Sequence, residues 1–110
     1  MTDTAIFEFR ANETLEIEFP TFFVRIDFRD TQQLTVEVVK GDNAGFTDTV
    51  EYSAISLRHG IVILSWQEHI GSTIVHVLDL MNDSARTFVT TIHGKFMRIS
   101  GKLRRTVRKA

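Results

Sequence analysis

Glu68 is the residue of this chain best placed to do chemistry. It follows the apolar run Ile61-Val62-Ile63-Leu64-Ser65-Trp66-Gln67 and stands two residues after the only tryptophan. Alternate residues of an extended chain share a face, so Trp66 and Glu68 point the same way. A carboxylate held beside an indole and away from water has its charged form disfavoured. It can then exchange a proton near neutral pH, or accept a hydrogen bond from a ligand. The plainer reading makes Glu68 the solvated start of the turn His69-Ile70-Gly71, or a partner of Arg58 or Arg98. Two further residues are expected to join it. Tyr52 is the only tyrosine, and His76 is the polar member of the face Ile74, His76, Leu78, Leu80. On the plainer reading Trp66 is core and His76 a hydrogen-bonded core histidine. Glu68 is thus the candidate catalytic group, and Trp66, Glu68, Tyr52 and His76 are the candidate ligand-binding set.

Other chemistries lack their residues. There is no cysteine, so no disulfide, thiolate nucleophile or thiolate metal site is available. His59, His69, His76 and His93 match no zinc-ligand spacing. Ser53, Ser56 and Ser65 have no nucleophile-elbow context, and no glycine loop suits a phosphate. Neither metal nor cofactor is expected.

The elements that must position these residues read as short strands. Ile6 to Arg10 and Leu15 to Phe19 alternate with period two, and Pro20 interrupts as an edge or corner. Phe22, Val24, Ile26 and Phe28 form an apolar face opposite Arg25, Asp27 and Arg29, and Leu34, Val36 and Val38 repeat the pattern. The loop Gly41 to Gly45 precedes Val50 to Leu57 and Ile61 to Trp66, which are apolar at both parities. Such strands are expected either to be covered on both faces or to look into a cavity. Ser72 to Leu80, Arg86 to Ile92 and Phe96 to Leu103 follow, separated by turns at Asn82-Asp83 and His93-Gly94. No long stretch repeats at helical period. Eight or nine strands joined by short turns leave no length for crossovers, so the expected fold is all-β, a small antiparallel up-and-down barrel with room for one small ligand.

The 110 residues, 43% hydrophobic, suffice for one domain. All 14 acidic residues and 8 of the 13 basic ones lie in residues 1–101, a net −6, and the other five put +5 on the last nine positions. The expected organisation is a barrel over 1–103 and a basic tail over 104–110, free or strapped across the acidic body. Aromatic residues are not interleaved with the tail's charges, which argues against nucleic acid. The start Met1-Thr2-Asp3-Thr4 shows no leader pattern and no apolar run has the length of a membrane helix. A cytoplasmic protein with no membrane partner is expected, with a homodimer through an uncovered face or edge as one form of association.

Glu51-Tyr52-Ser53-Ala54, Leu57, Gly60, Ser65-Trp66-Gln67-Glu68, Gly71 and Asp79 together resemble the MoaF-like domain, named for molybdenum cofactor biosynthesis protein F. The resemblance implies a lipocalin-like (calycin) barrel. More distantly, Gly60 to Glu68 looks like the Gly-Ile-Tyr-Lys-Ile-Ser-Trp-Thr-Glu segment of bacterial phenolic acid decarboxylase. That family's buried glutamate falls on Glu68, whereas its arginine position falls on Gly45, and Tyr52 comes too late to be either of its two early tyrosines. The clamp for a substrate carboxylate is missing, so decarboxylation is not implied.

Three classes of function follow. A binding barrel for a small hydrophobic or aromatic ligand is expected first. An acid/base isomerase, lyase or cyclase using Glu68 with Tyr52 or His76 is the second, and a non-catalytic interaction module the third. Whether Phe22, Phe28, Trp66 and Phe88 plug the interior decides between them.

Overall fold

Period-two runs pair with their sequence neighbours when only tight turns separate them, and this chain does so throughout. In the computed structural model, which describes residues 5–107, nine strands form one sheet. They are β1 Ala5–Ile6, β2 Glu13–Glu18, β3 Phe23–Phe28, β4 Gln33–Lys40, β5 Thr47–Arg58, β6 Ile61–Gln67, β7 Thr73–Asp79, β8 Ser84–Thr90 and β9 Phe96–Val107. Each of β2 to β9 pairs antiparallel with the next, and β9 returns to pair with β2, Ile17 opposite Leu103. This closes an eight-stranded up-and-down barrel, as the alternation predicts. The short β1 adds to β5 outside the ring, Ile6 opposite Ile55. No helix of the described residues is long and apolar enough to cross a membrane.

One parity of every strand fills the interior. Leu15, Ile17, Ile26, Phe28, Leu34, Val62, Leu64 and Leu78 are wholly buried. Val24, Ile26 and Phe28 point inward as expected, while Phe22 lies in the β2–β3 turn, half-buried and stacked on Phe19 at 4.5 Å between centroids. Phe9, from the segment before β2, is fully buried and stacks on Phe28 at 4.0 Å. It packs into the core between Phe28 and Tyr52, whose ring lies 6.3 Å from its own. Gly101 lets β9 approach β2, because a Cβ there would come within 2.7 Å of Ile17 Cγ2 and 3.0 Å of the Glu18 carbonyl.

The wall is of two kinds. Across β9, β2, β3 and β4 the outward residues form an ion ladder: Arg104 bonds Glu16, and Arg25 lies 3.6 Å from both Glu16 and Glu37. The outward parity of β5 and β6 carries Ile55, Ile61 and Ile63, and these strands were expected to be covered on both faces or to face a cavity. Instead, among the described residues, no element lies over them, and Ile55 is 38% exposed.

Basic residues expected in a tail after Leu103 take part in the barrel. Arg104 to Val107 are the end of β9, Thr106 opposite Thr14 and Val107 opposite Glu13. The reason is Arg105, whose guanidinium turns inward to Glu13, a carboxylate only 3% exposed. Arg108 and Lys109, and the Met1 to Thr4 start, lie outside the described residues.

Candidate functional site

In an up-and-down barrel the turns β2–β3, β4–β5, β6–β7 and β8–β9 gather at one end and the other turns at the opposite end. Glu68 sits in the β6–β7 turn, at the first end. Its N–H donates to the Ser72 carbonyl and its own carbonyl accepts from the Gly71 N–H, both at 2.8 Å. The turn therefore fixes where the side chain starts. It continues the inward parity of Trp66, whose indole Nε1–H donates to Glu68 Oε2 at 3.3 Å. Burial raises the Glu68 pKa, and the charge of Asp48 raises it further, against the lowering effect of the Trp66 hydrogen bond. Neither Arg58 nor Arg98 makes an ion pair with it among the described residues; Arg98 lies over the Phe96 ring instead. A half-buried carboxyl with one neutral donor is set up to accept another hydrogen bond, or to keep its proton to a higher pH than a solvated glutamate.

Beside it stands a pair that sequence reading did not single out. Asp48, on β5, accepts the His69 N–H at 2.8 Å and bonds the His69 ring nitrogen Nδ1 at 2.7 Å. Burial would raise the Asp48 pKa, but the bonds from His69 outweigh it and hold the carboxyl below its ordinary value. Asp48 and His69 are 21 residues apart, and only barrel pairing brings them together. The one signal in the sequence was His69 next to Glu68.

The remaining candidates divide. His76 is buried inside the barrel, its Nδ1 2.7 Å from Thr87 Oγ1 and its ring 5.0 Å from that of Trp66. Burial pushes its pKa down to about 3, so the imidazole is neutral at ordinary pH. Tyr52 is the Cα partner of Trp66 across β5 and β6, yet its hydroxyl donates to the Asp30 carbonyl at 3.0 Å, in the β3–β4 turn at the opposite end of the barrel. Burial, with the charges of Asp30, Glu13 and Glu8, pushes its pKa up to about 12. Trp66 thus joins Glu68 on one side and His76 on the other, while Tyr52 is tied to a different end.

The plug question has a mixed answer. Phe28 and Trp66 fill the interior and Phe22 packs at its edge, but Phe88 faces outward, since its partners Val75 and Arg98 are on the outer parity. Two open depressions lie on the outer wall, about 210 Å³ beside Phe23 and Lys102 and about 390 Å³ beside Arg25 and Thr106. Both adjoin the ion ladder rather than Glu68.

Residues 11–104 match the family described as MoaF-like. A crystal structure of a candidate beta-lactamase from Burkholderia vietnamiensis superposes with a TM-score of 0.83 at 28% identity, over 87% of this chain and 94% of that one. A search of curated proteins gives no match.

Proposed function

Because the chain belongs to the MoaF-like family, we propose that it is a calycin-like, cytoplasmic barrel that binds a small molecule at the rim carrying Trp66 and Glu68. The observation that carries this reading is the Glu68 carboxyl, kept half-buried with its pKa raised and, among the described residues, with only the Trp66 indole donating to it. Titratable groups perturbed by burial cluster at binding and catalytic sites, and this one is held by no ion pair among the described residues. The ligand chemistry that fits is a hydrogen-bond donor presented to Glu68 from a small hydrophobic or aromatic body. The rim is the supported place because large side chains occupy the interior. His76 then backs Trp66, and Tyr52 braces the opposite end.

The same carboxyl supports the second reading, an acid/base enzyme, since a raised pKa is what a general acid near neutral pH requires. The lactamase description of the structural relative is not extended to this chain. None of its six serines has a lysine three residues later, the spacing a serine beta-lactamase uses. The test is native mass spectrometry of the purified protein, looking for a copurified small molecule, followed by titration of that molecule into wild type and Glu68→Gln. A ligand lost on denaturation and bound more weakly by the variant supports the proposal. A protein that emerges bare, and a variant indistinguishable from wild type across a library of small aromatic donors, would remove it.

A further inference from the structure

The outer wall of β5 to β8 has the composition of a surface made to be covered. One row of outward side chains runs Ile6, Ile55, Ile63, Val77 across β1, β5, β6 and β7, and ends at Arg86 on β8. The next runs Ser53, Ser65, Val75, Phe88 and ends at Arg98 on β9. Ile6 is 84% exposed and Phe96, stacked near Phe88 at 6.3 Å, is 49% exposed. The same barrel places Glu16, Arg25, Glu37 and Arg104 at the equivalent outward positions of its other half and pairs them all. Its apolar half is therefore not a general property of the wall.

What covers this wall is indicated by its flanks. Glu51 borders it on β5, and the β1–β5 register, continued by two residues, sets Glu8 opposite Ser53; Arg86 and Arg98 border the other side. Among the described residues none of these four makes an ion pair. One flank thus carries two carboxylates with Arg58 at its far end, the other is basic, and the middle is uncharged but for Asp79, whose carboxylate is taken up by Asn82 in the β7–β8 turn. A two-fold axis running parallel to the strands through such a surface lays each copy's acidic flank along the other's basic flank, whereas an axis across the strands would oppose like charges. The five strands β1 and β5 to β8, spaced about 4.8 Å apart with the barrel strands some seven residues long, make a wall roughly 19 Å wide and 23 Å long, the area of a weak, reversible interface rather than of a permanent one.

We infer that the chain forms a two-fold homodimer through the outer wall of β5 to β8, with Ile55, Ile63, Val75 and Val77 at its centre and the Glu8/Glu51 flank of one copy facing the Arg86/Arg98 flank of the other. Sedimentation of the full chain from low to high micromolar concentration tests this. Wild type is expected to reach twice the 12.6 kDa chain mass. Ile63→Glu and the milder Ile63→Ser are expected to sediment as monomers with an unchanged far-UV spectrum. Replacing Arg86 and Arg98 together by Glu should raise the dissociation constant by about tenfold or more at low salt, and adding Glu8→Lys and Glu51→Lys should restore it. A wild type that stays monomeric throughout, a folded Ile63→Glu that remains dimeric, or a charge swap that fails to recover would each overturn the proposal. A monomer that instead pulls down a different protein through this wall would assign the wall to that partner.

Discussion

Glu13 and Arg105 stand 92 residues apart in the chain and 2.7 Å apart in the barrel. Glu13 is buried, and its second oxygen accepts the Arg10 N–H at 3.1 Å, while Arg105 also lies 5.7 Å from the ring centroids of Phe7 and Phe9. The pair ties the N-terminal plug to the last strand at the seam where the ring closes.

Arg105→Ala should therefore destabilise the barrel by about 2 to 3 kcal/mol, because it leaves a buried carboxylate without its cation; the partial exposure of Arg105 keeps the cost below that of a fully buried pair. Glu13→Gln in the same chain should recover part of the loss. Urea denaturation of the two single variants and the double variant measures the coupling. A cost within about 0.5 kcal/mol for Arg105→Ala would reduce the pair to a surface contact.

Phe28→Ala should cost about 3 to 5 kcal/mol, since it removes a fully buried ring and the stacking surface of Phe9. Its reading is the shift in denaturation midpoint. An effect under about 1 kcal/mol would mean that the space recloses around Phe9.

Glu68→Gln has a sign that depends on pH. A carboxyl whose pKa is higher folded than unfolded favours the folded state fully below its unfolded pKa and loses that contribution as pH rises through the folded value. The variant should thus gain on wild type as pH goes from 4 to 8, and be neutral or more stable at pH 7. Thermal melts over that range check it. A variant clearly less stable at pH 7 would make the Trp66–Glu68 bond structural.

His76 works in the opposite direction. Its folded pKa, about 3, is far below that of an exposed imidazole. The stability it contributes is fully present above the unfolded value of about 6.5 and is lost as pH falls towards the folded one, at a slope approaching 1.4 kcal/mol per pH unit. His76→Gln should flatten the loss of stability between pH 6 and pH 4, at a fixed cost from disturbing Thr87 and Trp66. Isothermal denaturation at each pH reads the slope. An unchanged slope would assign the acid sensitivity to other groups.

How much of this was legible depends on whether a residue's neighbours come from its own strand. The inward face Val24, Ile26, Phe28 and the turns at Gly60 and Asp83 could be read directly, because pleating and turn chemistry are local. Phe88 could not be placed, since Arg86-Thr87-Phe88-Val89 offers an apolar residue at both parities and only pairing with Val75 and Arg98 decides. Arg104 and Arg105 looked like a solvated run because their counter-charges, Glu16 and Glu13, arrive from the other end of the chain. The candidate site was half legible for the same reason. Trp66 and Glu68 share a strand end, whereas Asp48 reaches His69 only through the β5–β6 side of the ring.

The β2–β9 seam also has a history in time. During synthesis β2 is the first strand of the ring to emerge, and its partner β9 is the last of the ring. Until then the chain has two open sheet edges, one on β2 and one on whichever strand was made most recently, and open edges are what stray strands pair with. Contacts of such long sequence separation are slow to form. The closing step therefore falls to a strand whose outward side chains are Arg98, Lys102 and Arg104, and whose positive charge discourages pairing with a second copy of itself while the acidic edge of β2, Glu16 and Glu18, draws it home. The basic strand β9 is, in this sense, a latch that cannot engage until the rest of the barrel has been made.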